Sequence, residues 1–598
     1  MNIRSQRLQP MQYEFYDSNQ RQESALKQNS FSKFNENNDE DELDSLIQFC
    51  SSLNKNSNNV AKLPPKLIPV NQNIVRYLQF KPWNGVLQDN VQDSGYYFKL
   101  NNCNIKLVRG LLEENGFRET IDKDWTIMWV VGSIKSEIYQ TMMAYQKVNH
   151  FPKSIEITRK DLMNRNISKM QIRCGLSNFN FVPKTYILPS EQSLLIEDFE
   201  KIKSTKQLFI VKPQNGSQGK NIFVTDKLND ILRANVGSGL VVSHYVANPL
   251  LINNLKFDLR IYVAITSIHP LRVYIYEDGL VRFATQEYHA DIDLLKDKYV
   301  HLTNYSINKN SNNFVSNKDA QEDFKGSKWS LASLKDYLRV NGINVEQLFD
   351  KIEDMIVKTI ISIEGQIFSS FEMQVPYRNN CFEVLGFDVL IDDTLKPYLL
   401  EVNLNSSLNT DSPLDLRIKG EMLSDLFTLV GIVPLDQRYS IDQSFNFTLN
   451  SAINEKQYAN IVNSLTSNWE QHKKQLTKLE RAVLKETEDE LKRCRKFKRI
   501  YPGETCFKYK NYFEQDRPFN ILLRNWEMDK AKKNNINQSL NNHKYSAPVS
   551  RQANHSSAQK TSPSNTSYYQ NTSFNKIGAS TLGQRNSSLL KSVNIKRN

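Results

Sequence analysis

The chain of 598 residues is poor in cysteine and in long apolar segments. Its six cysteines are scattered, and neither a CxxC pair nor a histidine spacing suggests zinc. No apolar run approaches the roughly 20 residues that a helix needs to cross a bilayer. The first residues, MNIRSQRLQPMQYEFY, lack the apolar segment of a secretory signal. We therefore expect an intracellular protein with reduced thiols and no membrane insertion.

Several familiar functional motifs are also missing. The sequence contains no G-x-S-x-G, no Cys or His placed to suggest a triad, and no P-loop. These absences favour chemistry by positioning and electrostatics over covalent catalysis. The net charge of +12 indicates an acidic partner, such as nucleic acid, anionic lipid or an acidic protein tail. Charge does not choose among these, but no zinc-finger, homeodomain or RNP-type signature favours nucleic acid.

Composition divides the chain into four regions. Residues 1–70 are rich in Asn, Ser and Gln and cannot bury enough apolar surface to fold alone. Residues 75–435 alternate short apolar runs with turns, which predicts a mixed α/β (α+β) domain with largely antiparallel strands. Residues 455–527 show apolar side chains at helical spacing among Lys and Arg, which predicts a basic helical extension. Residues 530–598 have almost no apolar content, so that tail is expected to be disordered.

Within the second region, short apolar runs define individual elements. The predicted strands include Phe209–Lys212, Leu240–Ser243, Phe257–Thr266 and Leu271–Tyr276, and the predicted helices include Leu331–Leu338 and Val345–Ser369.

The segment CFEVLGFDVLIDDTLKPYLLEVNLNSSL, residues 381–408, predicts a β-hairpin with a polar turn at 392–394. Its strands carry Asp388, Glu401 and Asn403. Residues two apart share a strand face, and Asp388 joins the other two if the hairpin pairs in the obvious register. Two carboxylates and an amide oxygen suit Mg²⁺. The alternative is that Asp388 and Glu401 form salt bridges inside an ordinary sheet.

A second candidate is the strand LKFDLRIYVAITS, in which polar and apolar residues alternate strictly. Lys256, Asp258, Arg260 and Tyr262 fall on one face, and the apolar residues between them fall on the other. The ordinary interpretation is a solvated face of an antiparallel sheet. If this strand lies beside the hairpin that carries the candidate metal ligands, the same residues predict a charged cleft whose Lys and Arg bind phosphate oxygens.

Two loops and one arginine are weaker candidates. The string FIVKPQNGSQGKNI places Lys212 at the end of an apolar strand, before a loop whose amides and glycines, Gly216 and Gly219, suit closure over phosphates. The string HLTNYSINK, residues 301–309, offers hydroxyl, amide and ammonium groups over a short span. Arg282 follows a predicted tight turn at 277–279. Taken alone, such loops are usually turns and such an arginine usually lies on the surface.

In order along the chain, several strings resemble the tubulin–tyrosine ligase-like family. They are NHFPKSIEITRKDL, FVPKTYILP, FIVKP, NPLLINNLKFDLRIYVAITS, HLTNYSINK and FEVLGFDVLID…LKPYLLEVN. The resemblance covers residues 75–435. The continuation SSLNTDSPLDLRIKGEMLSDLFTLVG, the basic segment KFKRIYPGE and the later YKNYFE resemble the glutamate-adding subgroup.

This resemblance implies an ATP-grasp fold, the cofactors ATP and Mg²⁺, and three sets of site residues. The implied Mg²⁺ ligands are Asp388, Glu401 and Asn403. The implied nucleotide contacts are Lys160, Lys212, Gly216, Gly219, Ser243, His244, Tyr245, Val246, Lys256, Asp258, Thr303 and Asn304, with 243–246 at the adenine hinge. The residues expected to hold free L-glutamate are Arg282, Tyr305, Ser306, Lys328 and Lys419.

A few positions depart from the family pattern. The hinge reads Ser243-His244 where a basic residue or Gln-Lys is typical, and the loop QNGSQGKN lacks the usual Arg-Gly ending. Ser406 replaces a common proline, and Tyr398 replaces a common tryptophan. All the metal-ligand positions are retained, so we expect an active enzyme.

The resemblance implies an ATP-dependent carboxylate–amine ligase, a tubulin polyglutamylase that works through an acyl phosphate. Arg260 is the predicted catalytic residue, stabilising the acyl phosphate or the tetrahedral intermediate. The expected acceptors are the acidic tails of tubulin. We therefore expect the enzyme in the cytoplasm, on cytoskeletal microtubules that include those of cilia and basal bodies, and we expect it to be a monomer. The basic stretch Lys492–Arg499 is a candidate microtubule contact or simply a solvated helix face. The alternatives are a tubulin glycylase and a non-catalytic microtubule-binding protein.

Overall fold

The described part of the chain covers the predicted α/β region and the segment that follows it. The computed structural model describes residues 77–88, 91–205, 207–216, 218–235, 239–289, 295, 297–320, 323–432 and 455–545. All of these residues belong to one unit of the chain, Val70–Asn598. The predicted disordered region 1–70 lies outside the described residues, as does the tail after residue 545.

Strands and helices alternate through the described residues, which confirms the predicted mixture. The strands are β1 (Tyr97–Asn101), β2 (Arg118–Glu119), β3 (Ile127–Val130), β4 (Lys147–Val148), β5 (Thr185–Leu188), β6 (Phe209–Pro213), β7 (Phe223–Thr225), β8 (Leu240–His244), β9 (Leu251–Ile252), β10 (Leu255–Ile268), β11 (Leu271–Phe283), β12 (Lys328–Ser330), β13 (Glu383–Ile391), β14 (Pro397–Asn403) and β15 (Phe497–Tyr501). The α-helices are α1 (Lys106–Glu114), α2 (Ser136–Gln140), α3 (Ile155–Thr158), α4 (Lys160–Cys174), α5 (Gln192–Ile202), α6 (Leu228–Ala234), α7 (Lys298–His301), α8 (Tyr305–Asn308), α9 (Leu331–Val340), α10 (Val345–Gln374), α11 (Pro413–Leu429), α12 (Glu455–Ser467), α13 (Trp469–His472), α14 (Lys478–Lys492) and α15 (Pro518–Tyr545). Short 3₁₀ helices occupy Leu176–Asn178, Lys203–Thr205, Lys473–Gln475 and Cys506–Tyr512.

The strands are arranged in separate sheets. A parallel sheet has the order β2-β1-β3-β4, so the expected antiparallel pairing fails in this part of the fold. A smaller antiparallel sheet has the order β5-β8-β6-β7. The central antiparallel sheet has the order β12-β11-β10-β13-β14, with β15 added beside β11 and β9 beside β10. The strands and helices predicted between residues 209 and 369 are all present, and the structure extends each of them.

Both faces of the central sheet are covered. On one face, Phe257, Leu259 and Ile261 of β10 join an apolar core with the long helix α10. On the other face, Tyr262 packs into a second core with α11. The polar residues of β10 are therefore buried, and the interpretation of a solvated face is wrong: even Arg260 is only 9% exposed.

The predicted tight turn at 277–279 lies inside β11. Gly279 pairs with Ile261 and Ile275 pairs with Val263, so the extra residues between them form a bulge. An added Cβ at Gly279 would lie 2.5 Å from the Arg260 carbonyl oxygen, which explains the glycine. The prediction of a turn was wrong because Asp-Gly suits a bulge as well as a hairpin.

The C-terminal segment joins the central sheet through β15 and is not a purely helical extension. Helices α12 to α14 are present, but β15 pairs antiparallel with β11. Phe497 and Tyr501, at the two ends of β15, are buried in the cores of the sheet. The prediction of a helical segment was wrong here because burial against a distant strand, which helical spacing does not reveal, decides the conformation.

Helix α15 continues to Tyr545, past the predicted start of the disordered tail. The prediction of disorder is therefore wrong for residues 530–545. An apolar cluster that includes Leu465, Val483 and Leu522 packs the first part of α15 against α12 and α14. This packing supports the beginning of a long polar helix that composition alone does not favour. None of the described helices is long and apolar enough to cross a membrane.

Candidate active site

The hairpin of β13 and β14 pairs in the predicted register. Asp388 lies opposite Glu401, and Gly386 lies opposite Asn403. Strand β13 also pairs with β10, which places Arg260 opposite Asp388. Directly opposed residues on antiparallel strands share a face of the sheet. The sheet therefore brings the predicted metal ligands and the predicted catalytic arginine together.

A second row of charged residues crosses β10, β11 and β12. Asp258 lies opposite Arg282, and Arg282 lies opposite Lys328. The Arg282 guanidinium donates to both carboxylate oxygens of Asp258, at 2.8 and 2.6 Å. Its Nη2 also donates to Asp388 Oδ2 at 2.8 Å, which joins the two rows.

Asp388 is a buried carboxylate held by two arginines. Arg260 donates from Nε to Asp388 Oδ1 at 2.5 Å and from Nη2 to Oδ2 at 3.1 Å, in addition to the bond from Arg282. Burial alone would raise the pKa of Asp388, but the guanidinium groups of Arg260 and Arg282 outweigh it and hold that pKa below its usual range. Asp388 is therefore ionised. The alternative interpretation predicted salt bridges at Asp388 and Glu401, and both are present: Asp388 pairs with the two arginines, and Glu401 pairs with Lys160 at 3.1 Å.

These ion pairs leave oxygen lone pairs on the predicted metal ligands. Asp388 accepts three hydrogen bonds, whereas a carboxylate has about four lone-pair sites. Glu401 Oε2 lies 3.1 Å from Lys160 Nζ, and Asn403 donates from its amide nitrogen to the Gly386 carbonyl oxygen at 3.2 Å. No cluster of three or more His, Cys, Asp or Glu occurs among the described residues. The side-chain carbonyl oxygen of Asn403 would be the third protein ligand beside Asp388 and Glu401. Such oxygen donors fit Mg²⁺.

A cleft opens beside the charged rows, with lining residues from the smaller antiparallel sheet and from the central sheet. Its apolar lining includes Ile210 and Val241 from the former and Leu399 from the hairpin. The candidate site residues that line it are Lys160, Lys212, Gly216, Gly219, Ser243, His244, Tyr245, Val246, Lys256, Asp258, Thr303, Asn304, Arg282, Asp388 and Glu401. All twelve predicted nucleotide contacts are in this set, so the fold gathers them around one opening.

Of the lysines that line the cleft, Lys256 is buried and Lys212 is half-buried. Burial lowers the pKa of Lys256 to about 7, although nearby Asp258 acts in the opposite direction. Burial also lowers the pKa of Lys212. Lys256 Nζ donates to the Tyr245 hydroxyl at 2.9 Å, and His301 Nδ1 lies 2.9 Å from the same hydroxyl. Anionic oxygens in the cleft would favour the charged form that burial disfavours.

The predicted phosphate loop contacts the start of α8 closely. Gly219 has a φ of +73°, and an added Cβ would lie 2.5 Å from Ile307 Cδ1 and 3.1 Å from Asn304 Oδ1. Ser306 Oγ donates to the Gln218 carbonyl oxygen at 2.9 Å. The loop and the segment of Thr303 and Asn304 therefore form one wall of the cleft, and Ser306 contacts the loop instead of the other predicted glutamate-binding residues.

Three of the predicted glutamate-binding residues, Lys328, Lys419 and Tyr305, lie around a carboxylate that the sequence analysis did not single out, Asp415. Lys328 Nζ lies 2.7 Å from Asp415 Oδ2, and Lys419 Nζ lies 2.8 Å from Oδ1. The Lys328 ammonium also lies 3.8 Å from the centre of the Tyr305 ring, a cation–π contact. Strand pairing connects this group to the cleft, because Lys328 is opposite Arg282.

Arg260 is held on three sides and does not itself line the cleft. Its Nη1 donates to Ser406 Oγ at 3.0 Å, while its other two nitrogens pair with Asp388. Gly386 gives room for this arrangement, since an added Cβ would lie 2.6 Å from Ser406 Oγ and 3.0 Å from Arg260 Cδ. Ser406, which replaces a common proline of the family, thus supplies a hydrogen bond that proline lacks.

The unusual hinge residue His244 also has a partner. His244 Nε2 lies 2.7 Å from Asp198 Oδ2, and Lys184 contacts the same carboxylate. Burial would raise the pKa of Asp198, but hydrogen bonds from Lys184, Tyr186 and His244 lower it to about 2. The Ser243 hydroxyl lies 2.8 Å from that of Thr185. Both hinge side chains are therefore engaged by neighbouring elements.

The sequence analysis missed two contacts, that of Asp415 with Lys419 and that of Asp198 with His244, and only the first could have been detected. Asp415 lies just after Ser412-Pro413, a helix-start signal, and four residues before Lys419, a spacing that puts both on one helix face. These signals identify Asp415 as a partner of Lys419. Asp198 carries no such signal, because it is far from His244 along the chain and only the tertiary structure joins them.

Comparison with known protein families agrees with this arrangement. The model of the tubulin-tyrosine ligase family matches residues 138–440, which include both rows of charged residues and the lining of the cleft. The chain belongs to the tubulin-tyrosine ligase family, and the predicted resemblance is confirmed.

Similar curated proteins are glutamylases by name. The tubulin polyglutamylase TTLL5 of Mus musculus is 38% identical over 449 residues, which cover 71% of this chain and 33% of that protein. TTLL5 of Homo sapiens is 42% identical over 341 residues, covering 57% of this chain and 26% of that protein. The tubulin polyglutamylase TTLL6 of Mus musculus is 38% identical over 423 residues, covering 70% and 49%. These names agree with the predicted subgroup, and the chain spans about a quarter to a half of the length of these relatives.

Proposed function

We propose that this chain is an ATP- and Mg²⁺-dependent carboxylate–amine ligase that adds glutamate to glutamate side chains of tubulin C-terminal tails, a tubulin polyglutamylase. The observation that carries the proposal is the cleft. It places three lysines and paired carboxylates at one opening, and a lysine-rich group suited to a carboxylate lies next to it. The relatives named as tubulin polyglutamylases support the amino acid and the acceptor.

In this proposal the cleft binds ATP between the two sheets of an ATP-grasp arrangement. Lys212 and Lys256 neutralise phosphate oxygens, which compensates the cost of burying their charge. The loop containing Gly219 covers the phosphates next to Thr303 and Asn304. Asp388, Glu401 and Asn403 would hold Mg²⁺, which supplies charge neutralisation for phosphoryl transfer when bound.

The proposed reaction proceeds through an acyl phosphate on the acceptor. An acceptor glutamate carboxylate oxygen attacks the γ-phosphorus of ATP, the bond to the bridging oxygen breaks, and ADP leaves. The amine of free glutamate then attacks the activated carbonyl carbon, phosphate leaves, and the nitrogen loses a proton to give the isopeptide bond. Arg260 is fixed by Asp388 and Ser406, so its positive charge is oriented before the reaction begins and stabilises developing negative charge.

The proposed partners follow from charge and from the relatives. Acidic tubulin tails suit a chain with a net charge of +12. We expect a monomeric enzyme in the cytoplasm, on cytoskeletal microtubules including those of cilia and basal bodies. The basic stretch Lys492–Arg499 remains the predicted microtubule contact.

The decisive experiment incubates the full chain with ATP, Mg²⁺, tubulin and either labelled glutamate or labelled glycine. We expect ATP-dependent incorporation of glutamate and little of glycine. Incorporation of glycine alone would replace the proposal with glycylation. Incorporation of neither, with a folded protein that still binds microtubules, would favour a non-catalytic binding protein.

A further inference from the structure

A buried carboxylate joins two lysines next to the cleft. Asp415 is 1% exposed, Lys328 is 6% exposed and Lys419 is 5% exposed. The two ammonium nitrogens lie 2.7 and 2.8 Å from different oxygens of Asp415. Two cations share one anion, so this buried group carries one positive charge in excess. An uncompensated buried charge is costly, and an anionic ligand would offset that cost.

Both ammonium groups keep capacity to donate to a ligand. An ammonium has three N–H donors. In the described contacts, Lys419 donates to the Asn409 carbonyl oxygen at 2.5 Å and forms an ion pair with Asp415 at 2.8 Å. Lys328 gives one to Asp415 and lies over the face of Tyr305. Each lysine therefore has at least one donor left for a carboxylate.

The position of Asp415 is set by the start of α11 and not by the lysines. Ser412 caps this helix: its hydroxyl accepts from the Asp415 backbone N–H at 3.2 Å and donates to Asp415 Oδ2 at 2.8 Å. Lys328 comes from β12, on a different part of the chain. Asp415 is thus a fixed point on which two long, flexible side chains converge.

We propose that Asp415 is a positioning residue that orients Lys328 and Lys419, so that their two ammonium groups bind the side-chain carboxylate of the incoming amino acid. The site then selects a dicarboxylic amino acid over glycine. This inference rests on the proposed ligase function. Without Asp415 the two ammonium groups repel each other and lose their orientation. Glycine lacks a side-chain carboxylate, and its α-carboxylate is common to all amino acids, so it makes no use of this pair of lysines.

The test compares steady-state kinetics of the wild-type chain and Asp415→Asn, with tubulin as acceptor and labelled glutamate as the varied substrate. We expect the KM for glutamate to rise about tenfold or more, the size of effect for hydrogen bonds between charged groups. The kcat at saturating glutamate and the KM for ATP stay near wild type. An unchanged KM for glutamate in the folded variant overturns the inference.

A matched control separates positioning from stability. The Asn344 side chain caps α10 by accepting from the Gln347 N–H at 2.9 Å, and it is not part of the proposed site. Asn344→Ala is expected to lower the melting temperature without changing the KM for glutamate. If this variant raises the KM as much as Asp415→Asn, Asp415 has only a structural role.

Asp415→Glu keeps the negative charge and serves if Asp415→Asn does not fold. The added methylene displaces the carboxylate, so we expect a several-fold rise in the KM for glutamate with kcat preserved. A wild-type KM in Asp415→Glu contradicts a positioning role.

A pH profile gives a readout that a merely structural residue would not change. The charged groups facing Lys419 are Asp415 on its own helix, Lys328 on β12 and Arg260 on β10. Burial lowers the pKa of Lys419, and Asp415 opposes that effect. In Asp415→Asn the KM for glutamate should therefore begin to rise at a lower pH than in wild type. Identical profiles overturn the inference.

The failures are distinguishable. If the wild-type chain incorporates no glutamate, the proposed function fails. If wild type incorporates glutamate and the Asp415 variants bind it equally well, only the role of Asp415 fails.

Discussion

Two clusters of buried charge share strands β10 and β11, and they differ in what borders them. At the cleft, Asp388 pairs with Arg260 and Arg282 and faces an opening. Towards the C-terminal segment, Arg272 of β11 pairs with Glu486 and Glu490 of α14, at 2.8 and 3.1 Å. None of the residues in this second cluster lines the cleft.

The difference lies in whether an opening borders the charges, because arginines outnumber glutamates in the second cluster too: Arg378 also pairs with Glu486, and Arg493 lies 3.8 Å from Glu490. Glu490 also accepts hydrogen bonds from the hydroxyls of Thr266 at 2.6 Å and Tyr274 at 2.7 Å. Burial would lower the pKa of Arg272, but Glu490 and Glu486 outweigh it and raise that pKa. At the cleft, buried Lys256 donates to the Tyr245 hydroxyl, a neutral acceptor, and lines the opening. Buried charge alone therefore does not identify a site; an excess of one sign beside an opening does.

The largest expected effect is on stability, from Arg272→Met. Removing the arginine takes one buried cation from Glu486 and Glu490 and leaves Glu486 with Arg378 and Glu490 with the more distant Arg493, at 3.8 Å. The free energy of unfolding should therefore fall by about 3 kcal/mol, the lower end of the cost of breaking a buried ion pair. Denaturant unfolding measures this loss. The kcat of the folded variant should stay near wild type, because none of these residues lines the cleft. Loss of turnover without loss of stability would contradict the comparison.

Glu401→Gln tests the other cluster. It removes a carboxylate from the proposed metal ligands, and we expect turnover to fall about a hundredfold or more. The ion pair that is lost, with Lys160, is partly exposed, so the free energy of unfolding should change by at most about 1 kcal/mol. Glutamate incorporation and denaturant unfolding measure the two quantities. Full ligase activity in this variant would reject the metal assignment.

The lysines of the cleft predict a pH effect on nucleotide binding. With a pKa of about 7, Lys256 is largely neutral above that pH in the free protein. Phosphate oxygens favour the ammonium form and raise its pKa, so ATP binding at pH 8 should take up a proton, and affinity should fall as pH rises from 7 to 9. Titration calorimetry in buffers of different ionisation enthalpy measures the uptake.

Lys256→Gln is the control for this experiment, because it should remove the uptake that Lys256 contributes. Lys212, whose pKa burial also lowers, acts in the same direction and leaves a smaller uptake. Proton uptake that is identical in wild type and Lys256→Gln would reject the role of Lys256.

The smallest expected effect concerns the basic stretch. Lys492 and Lys498 have side chains 75% and 62% exposed, whereas those of Arg493 and Arg499 are 8% and 6% exposed. The lysines pair only with surface carboxylates, Asp489 and Glu353, an interaction worth little. Changing both lysines to Gln should weaken microtubule co-sedimentation a few-fold, most visibly at low salt. Unchanged co-sedimentation would reject a contact through these lysines.

Arg499→Gln is the matched comparison for the lysine pair. Arg499 pairs with Glu527 of α15 at 2.8 Å, so its loss should lower stability more than microtubule binding. If Arg499→Gln weakens binding as much as the lysine changes while remaining folded, the division of this stretch into surface and structural cations is wrong.

The residue pattern predicted the hairpin, its register and the polar face of β10, and the family resemblance named most of the other residues that line the cleft. The hairpin, its register and that polar face depend on local patterns: a period of two along β10, β13 and β14, and a polar turn between apolar runs. The same reasoning failed at 277–279, where Asp-Gly forms a bulge, and at β15, where burial by a distant strand overrides helical spacing. Local patterns specify an element but not its neighbours.

By itself, then, the sequence determined which side chains share a strand face, and the family resemblance named their roles. Only the tertiary structure decided that Asp415 lies between Lys328 and Lys419, that Asp198 engages His244, and that the C-terminal segment completes the central sheet. The physical reason is that each of these contacts joins separate elements. Burial and charge pairing select such contacts in the folded chain, and no repeat or spacing along the sequence encodes them.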